Sequence, residues 1–473
     1  MTVGTVAAID LGATSGRVMI GHVGPDTLVT EAVMRFGNNP RRIDGQLHWN
    51  TGLLYSKAIL GLRTAAQQHA GIQSIGVDSW AVDYGLVSRG SLLSEPFHYR
   101  DERTAQGVER VHQILDHGAL FERNGLQFLP FNTIYQLASE APRRLEAAEH
   151  LLLIPDLFNF WLTGEVFAER TNASTTGLLD IRTGEWDLDL MASVGVPSAM
   201  LPSLVDPGMV VGTLTATAAH ATGLSTTVPV TAVGSHDTAS AVAAVPLTSD
   251  GAAFVSCGTW GLVGVEVGAP VLTPAALQAN FTNEGGVDGR VRLLRNVMGL
   301  WVLTEAIRGW QTDGHLVDLE QLLRNAAALP ERAVSHFDID DARFLPPGDM
   351  PSRIDAWCLE HGVRPPSTRD EYARSIVESL AQAFAATAHE AAALKGTPLT
   401  TINLVGGGAL NELLCQRTAD RAGVPVDAGP VEATALGNLL IQARSVGLVH
   451  GSLEALRDLV LRTHSPRRYT PHI

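Results

Sequence analysis

The stretch Val6-Ala7-Ala8-Ile9-Asp10-Leu11-Gly12-Ala13-Thr14-Ser15-Gly16-Arg17 decides how this chain reads. Four apolar residues, a turn of small and hydroxylated residues, and a second apolar run from Arg17 to Val23 describe strand, tight turn, strand. A third strand is expected over Thr27 to Phe36, a helix over Leu53 to His69, and a buried strand from Ile75 to Asp78. The second half repeats this order. Ala252 to Ser256 is an apolar run, Cys257-Gly258-Thr259 a small-residue turn, and Gly261 to Val267 another run. Val291 to Leu294 supplies a third strand and Met298 to Trp310 a helix. An element order that occurs twice is the signature of internal duplication.

Farther along, Tyr372, Ile376, Leu380 and Phe384 recur every four residues, predicting an amphipathic helix to about Lys395 with Gly396 as its C-cap. A strand (Thr401 to Val405), three glycines (Gly406, Gly407, Gly408) and a helix opening near Asn411 follow. The last units are a strand at Val424 to Asp427 and a helix from about Glu432 to Val446. Strands alternating with helices imply largely parallel sheets covered on both faces. The periodicity breaks over residues 243–250, which divides the chain into domains 1–245 and 246–473.

Composition narrows the function classes. At 473 residues the chain exceeds one ordinary domain, and 45% hydrophobic residues provide for more than one core. A net charge of −15 argues against nonspecific nucleic-acid binding, which needs a cationic footprint. No apolar run approaches the ~20 residues of a membrane span. The first apolar run has no basic region before it and is interrupted by Asp10, so it does not read as a signal peptide. Cys257, Cys358 and Cys415 are far apart and without zinc spacing, which points to a reducing cytoplasm. The glycosylation-like Asn172-Ala173-Ser174 is read as a chance match.

Four segments carry candidate chemistry. Small residues in the first turn let backbone N–H groups and hydroxyls approach a phosphate chain, and Asp10 at the strand end suits a hydrated Mg²⁺. The turn Ser256-Cys257-Gly258-Thr259-Trp260-Gly261 is its counterpart, with Cys257 as a packing residue; two such turns facing each other could clamp a nucleotide triphosphate. The glycine triplet offers flat contact to a base or ribose at a helix start. Neither a dinucleotide fingerprint nor a P-loop occurs, so nucleotide binding requires another scaffold. In Ser235-His236-Asp237-Thr238-Ala239-Ser240, Asp237 follows a strand and could accept a hydroxyl proton during phosphoryl transfer. The competing reading makes this run a helix cap with His236 merely packed.

Three further runs are weaker. Asp78-Ser79-Trp80-Ala81-Val82-Asp83-Tyr84 combines carboxylates with an aromatic platform suited to a sugar, or else is a strand with a buried Trp and a solvated Asp. Gln127-Phe128-Leu129-Pro130-Phe131-Asn132-Thr133 is an apolar loop with polar tips, and Arg100-Asp101-Glu102-Arg103 reads as a solvated charge run.

Laid out this way, the whole chain resembles the FGGY carbohydrate kinases. The resemblance is carried by residues 10–17, 125–133 and 235–241, by Gly258-Thr259-Trp260 and Asn283-Glu284-Gly285-Gly286, and by Asn296-Val297-Met298-Gly299-Leu300-Trp301 and Gly429-Pro430-Val431-Glu432-Ala433. The runs 127–133 and 235–241 resemble the branch that acts on L-rhamnulose. The resemblance implies an α/β fold of two RNase H-like (actin/hexokinase-type) domains with an interdomain cleft. It implies ATP-dependent phosphorylation of L-rhamnulose at its 1-hydroxyl, as a step of L-rhamnose catabolism. A kinase for L-fuculose, L-ribulose or D-xylulose, and a non-catalytic ATP-gated switch on the same fold, are the competing expectations.

By the same resemblance Asp237 is the proton acceptor, and Ala81, His236, Asp237, Thr238 and Asn296 hold the ketose. Ala13, Thr14, Ser15, Gly16, Arg17, Thr259, Thr304 and Gly407 hold ATP, with Asp10 near Mg²⁺. The implied partners are a small ketose and MgATP, with neither nucleic acid nor membrane. Two positions depart from the family pattern: Ala81 stands where glycine is usual, and Thr304 replaces a longer amide side chain.

Overall fold

The computed structural model describes residues 3–330 and 334–472. The chain forms two compact units. Unit 1 takes Met1–Pro246, Glu266–Leu293 and Ala433–His464; unit 2 takes Leu247–Val265, Leu294–Glu432 and Ser465–Ile473.

In unit 1 the first apolar run becomes the strand Gly4–Leu11, which pairs antiparallel with Ser15–Gly24 and parallel with Ile72–Ser79. The six-stranded sheet runs in the order Val210–Thr213, Pro229–Thr231, Ile72–Ser79, Gly4–Leu11, Ser15–Gly24, Thr27–Gly37. Alternate residues of one strand face opposite sides. Val18 lies against Gly61 of the helix Thr51–Gln68, whereas Gly21 lies against Leu439 of the helix Ala433–Ser445. Helices therefore cover both faces. On the second face Val6, Ala8, Met19 and Val23 pack with Leu436, Leu439 and Leu440 in one core. A second core, around Tyr84, Leu120, Ile134, Leu153 and Met191, supports the insertion that follows Ile72–Ser79.

The second sheet has seven strands, the first of them Thr282–Gly285 of unit 1; the other six run in the order Val291–Met298, Trp260–Val267, Ala252–Cys257, Thr401–Val405, Val426–Ala428, Arg467–Tyr469, of which residues 294–298 and 260–265 belong to unit 2. Ala252–Cys257 pairs antiparallel with Trp260–Val267 and parallel with Thr401–Val405; Val426–Ala428 adds in parallel and Arg467–Tyr469 antiparallel. This repeats the unit 1 order strand for strand, so the duplication legible in the sequence is a duplication of topology. The amphipathic helix is Arg369–Lys395, closed by Gly396 in the left-handed conformation at φ 79°. One expectation shifts: Met298 ends a strand, and the helix begins at Trp301. A Cβ on Gly299 would lie 2.4 Å from the Trp260 carbonyl carbon, so only glycine fits that corner.

The helices Asp237–Ala244 and Ala433–Ser445 touch through glycine. A Cβ at Gly437 would sit 1.8 Å from the Ser240 carbonyl oxygen. Gly437→Ala therefore forces two packed helices apart and is expected to destabilise unit 1 by about 1–3 kcal/mol. A thermal melt reads this directly, and an unchanged melting temperature would show that the contact is not tight.

Candidate active site

The carboxyl ends of the unit 1 strands gather most of the residues singled out from the sequence. Parallel pairing sets Asp10 beside Asp78. The ladder continues past the strands: the Trp80 N–H donates to the Leu11 carbonyl at 3.0 Å and the Ser79 N–H to the Ser235 carbonyl at 2.9 Å. One sheet end thus carries the turn after Leu11, the segment from Trp80, and the Ser235-His236-Asp237 corner. Ligand sites of α/β proteins occur at such strand ends.

Asp10 is 3% exposed and pairs with Arg17, whose Nη2 and Nε lie 2.6 and 2.8 Å from Oδ2. Asp78 is fully buried and accepts a hydrogen bond from Asn438 Nδ2 at 2.5 Å. Burial first, then the neighbouring charge of Asp10, pushes the Asp78 carboxyl well above the usual carboxylate range; Asp237 adds in the same direction. Among the described residues no group of three or more His, Cys, Asp or Glu converges as a metal-ligand set. Mg²⁺ keeps several of its waters and needs only one or two carboxylates. Asp10, at the strand end, fits that demand.

Asp237 opens the helix Asp237–Ala244, and His236 is the N-cap residue without a side-chain capping bond. The capping reading therefore does not describe Asp237. Its side chain is 30% exposed, and Oδ1 accepts from Thr238 Oγ1 at 3.0 Å. The corner before it is fixed by Glu169, which is wholly buried. Glu169 Oε2 accepts from the Ser235 N–H at 3.0 Å and from Ser235 Oγ at 2.8 Å. It also caps the short helix Arg170–Ala173, accepting from the Thr171 and Asn172 N–H groups. Asn172 is itself fully buried, so its glycosylation match has no access to an enzyme.

His236 is 5% exposed and is not a passive neighbour. Its Nε2 lies 3.5 Å from Asp237 Oδ1, while Nδ1 lies 3.2 Å from Glu284 Oε2 and 3.1 Å from Arg292 Nη2. Arg292 has no exposed surface, and its Nε donates to the Gly285 carbonyl at 2.9 Å. Burial works to raise the Glu284 carboxyl, but the Arg292 guanidinium beside it leads the opposing causes and the group is held below its usual range. Sequence reasoning quoted Glu284 without a role and passed over Arg292. The available signal was an arginine inside the apolar run Val291-Arg292-Leu293-Leu294.

The segment after Trp80 is strained. Val82 has φ +66°, a region that β-branched residues avoid, at a cost on the order of 1–3 kcal/mol. Thr133 Oγ1 donates to the Val82 carbonyl at 2.6 Å, and Gln136 braces the same turn through Asp83. Asp83, 1% exposed, accepts from Trp49 Nε1 (2.5 Å), Trp80 Nε1 (3.0 Å), the Tyr99 N–H (3.2 Å) and Gln136 Nε2 (2.8 Å). Burial raises its carboxyl to about 6 against those four donors. Of the two sequence readings the open platform fails, since Trp80 is buried against Trp49 at 4.1 Å as the alternative expected, and the solvated Asp of that alternative fails too, since Asp83 is buried. The charge-run reading of residues 100–103 holds for the exposed Glu102 and is corrected for Asp101 and Arg103. Asp101 is 8% exposed and accepts from the Leu47 N–H, while Arg103 pairs with Glu140 at 3.3 Å and covers the Phe97 ring. Partners from distant segments bury these charges.

Unit 2 carries the remaining named residues. Cys257 is fully buried, and Cβ atoms on Gly406 and Gly408 would lie 2.8 Å from its carbonyl oxygen and 2.5 Å from its Sγ. This is the packing role expected of it, and burial pushes its thiol up. Gly258 and Gly407 are exposed, with open space where a Cβ would stand. Such a pair of bare backbones is what close approach of a phosphate or ribose requires. The turn is held by the Leu300 N–H donating to the Gly258 carbonyl at 2.9 Å. Thr259 is half-buried, Asn296 is half-buried in its strand, and Thr304 is exposed with its Oγ1 donating to the Leu300 carbonyl at 2.9 Å.

Two units with one repeated strand order, carrying carboxylates at the strand ends and bare glycine turns, define a mixed α/β two-domain fold of the actin/hexokinase-like sugar kinases. The fold is similar to that of a ligand-bound xylulose kinase from Lactobacillus acidophilus, with a TM-score of 0.79 at 18% identity over 99% of this chain and 94% of that one. The N-terminal and C-terminal domain models of the FGGY family of carbohydrate kinases match residues 5–244 and 253–446, and the chain belongs to that family. Its curated relatives include a rhamnulokinase from Yersinia pestis bv. Antiqua (strain Angola), 41% identical over 99% of this chain and 95% of the relative. A rhamnulokinase from Klebsiella pneumoniae (strain 342) is 40% identical over 100% and 96%.

Asp83 gives a pH-dependent test of the strained segment. Its carboxyl is raised from 3.8 to about 6, so its stabilising contribution is complete below 3.8 and is lost as pH rises through about 6. Asp83→Asn removes that contribution. The destabilisation caused by this substitution, read from urea unfolding, is expected to be larger at pH 5 than at pH 8. A difference independent of pH would contradict the assignment.

Proposed function

We propose that this kinase transfers the terminal phosphoryl group of ATP to the 1-hydroxyl of L-rhamnulose, giving L-rhamnulose 1-phosphate and ADP. The observation that carries the reading is Asp237, a partly exposed carboxylate at the first turn of a buried helix, held by its neighbours and not spent on capping. The choice of ketose is supported by relatives named rhamnulokinase at 40–41% identity over nearly the whole chain.

Asp237 takes the proton of the 1-hydroxyl as that oxygen bonds to phosphorus. His236, Thr238, Asn296 and the backbone at Ala81 orient the ketose, so that the reaction proceeds from a positioned hydroxyl. Ala13, Thr14, Ser15, Gly16, Arg17, Thr259, Thr304 and Gly407 hold the nucleotide; Thr304, with its short side chain committed to Leu300, offers less reach than an amide. Mg²⁺, when bound near Asp10, neutralises phosphate charge. Residues 1–245 are assigned to the sugar and the first phosphate loop, and residues 246–473 to the nucleotide. The cytoplasm is the proposed compartment, consistent with three free, buried cysteines.

Asp237→Asn is expected to lower kcat by about 10²- to 10⁴-fold while nucleotide affinity holds. Near-normal turnover would refute the base. A coupled ADP-release assay across L-rhamnulose, L-fuculose, L-ribulose and D-xylulose is expected to give the highest kcat/KM with L-rhamnulose. A higher value for another ketose replaces the substrate, and sugar-independent ATP turnover favours a switch.

A further inference from the structure

Behind the proposed base lies a charged assembly that the reaction as described does not use. Arg292 and Glu284 are both buried, with Arg292 Nη1 at 3.2 Å from Glu284 Oε2, and both face His236 Nδ1. Burying an ion pair is costly, and removing one partner leaves an uncompensated charge. Such a pair is weak evidence for stability and better evidence for holding one arrangement.

The arrangement concerns the imidazole proton. Glu284 Oε2, at 3.2 Å, would accept from an Nδ1–H, but of the two contacts only that of Arg292 Nη2, at 3.1 Å, has hydrogen-bond geometry. A guanidinium has donors only, so that bond needs a lone pair on His236 Nδ1. The ring proton then resides on Nε2, which faces the Asp237 carboxylate at 3.5 Å. The opposite tautomer would turn the Nε2 lone pair toward that carboxylate and an Nδ1–H toward the guanidinium. Glu284 offsets the guanidinium charge and is the only one of Nδ1's two charged neighbours here that could accept a proton from it.

We propose that Arg292, balanced by Glu284, is a positioning residue that fixes His236 in the Nε2–H tautomer, so that the imidazole donates toward Asp237 or the sugar hydroxyl it serves. The effect on turnover rests on the reading of Asp237 as base; the tautomer does not. His236 therefore sits in the site as an oriented donor, fixed by two buried residues that the proposed reaction does not otherwise use.

Nitrogen-15 imidazole spectra of the full-length protein, with His236 identified by loss of its signals in His236→Gln, read the tautomer without any turnover. The expected result is a proton on Nε2 and none on Nδ1. A proton on Nδ1 overturns the proposal, whether or not Asp237→Asn retains activity. In Arg292→Met the Nδ1 proton is expected to appear, directed at Glu284, with kcat down on the order of 10²-fold and the KM for ATP unchanged. Arg292→Lys, which restores a donor, is expected to recover the Nε2–H tautomer and part of kcat. An Arg292→Met protein that keeps the wild-type tautomer would also overturn it. Should Arg292→Met fail to fold, the wild-type spectrum still decides.

Discussion

Everything proposed for this molecule depends on where the Ser235 corner is held. The Ser235 carbonyl is taken by the Ser79 N–H, and its own N–H and hydroxyl are taken by the buried Glu169 carboxylate. A carboxylate with no exposed surface is tolerated only when hydrogen bonds replace its water, and Glu169 has such bonds from Ser235, Thr171 and Asn172. The corner is thereby locked to the end of Ile72–Ser79 on one side and to the helix Arg170–Ala173 on the other. Asp237 is two residues on, so its carboxylate inherits that position.

The surrounding energetics follow one pattern. Charged and strained groups are concentrated at the strand ends of unit 1 and compensated locally: Asp10 by Arg17, Asp78 by Asn438, Asp83 by four donors, Glu284 by Arg292. Val82 keeps its left-handed backbone because Thr133 and Gln136 brace it. Arg457, from the helix Leu453–Thr463, binds Glu266 through both Nη atoms and donates to the Val242 carbonyl, tying down the far end of the helix that Asp237 begins. Pre-organised polar groups of this kind cost stability where they stand and give a reaction its fixed geometry.

The fold was legible because it rests on local pattern. Apolar runs, glycine turns and a four-residue periodicity are properties of neighbouring residues, and they located Gly4–Leu11, Ala252–Cys257, Thr401–Val405 and Arg369–Lys395 within a few residues. Asp237 was legible for the same reason, since a polar corner after a strand is local. Its supports were not. Glu169 and Arg292 reach the corner from segments 66 and 56 residues away, and nothing in their own neighbourhoods announces the partner. Asp101 and Arg103 misled for the same cause: a run of charge looks solvated until Glu140 and Leu47 are folded onto it.

The central claim is that the Asp237 carboxylate meets the hydroxyl that becomes phosphorylated. A crystal structure with L-rhamnulose and a non-hydrolysable ATP analogue tests it most directly. The account predicts an Asp237 oxygen within about 2.6–3.2 Å of the ketose 1-hydroxyl, opposite the terminal phosphate. A sugar bound with that hydroxyl turned to another group, and Asp237 contacting only protein, would contradict it.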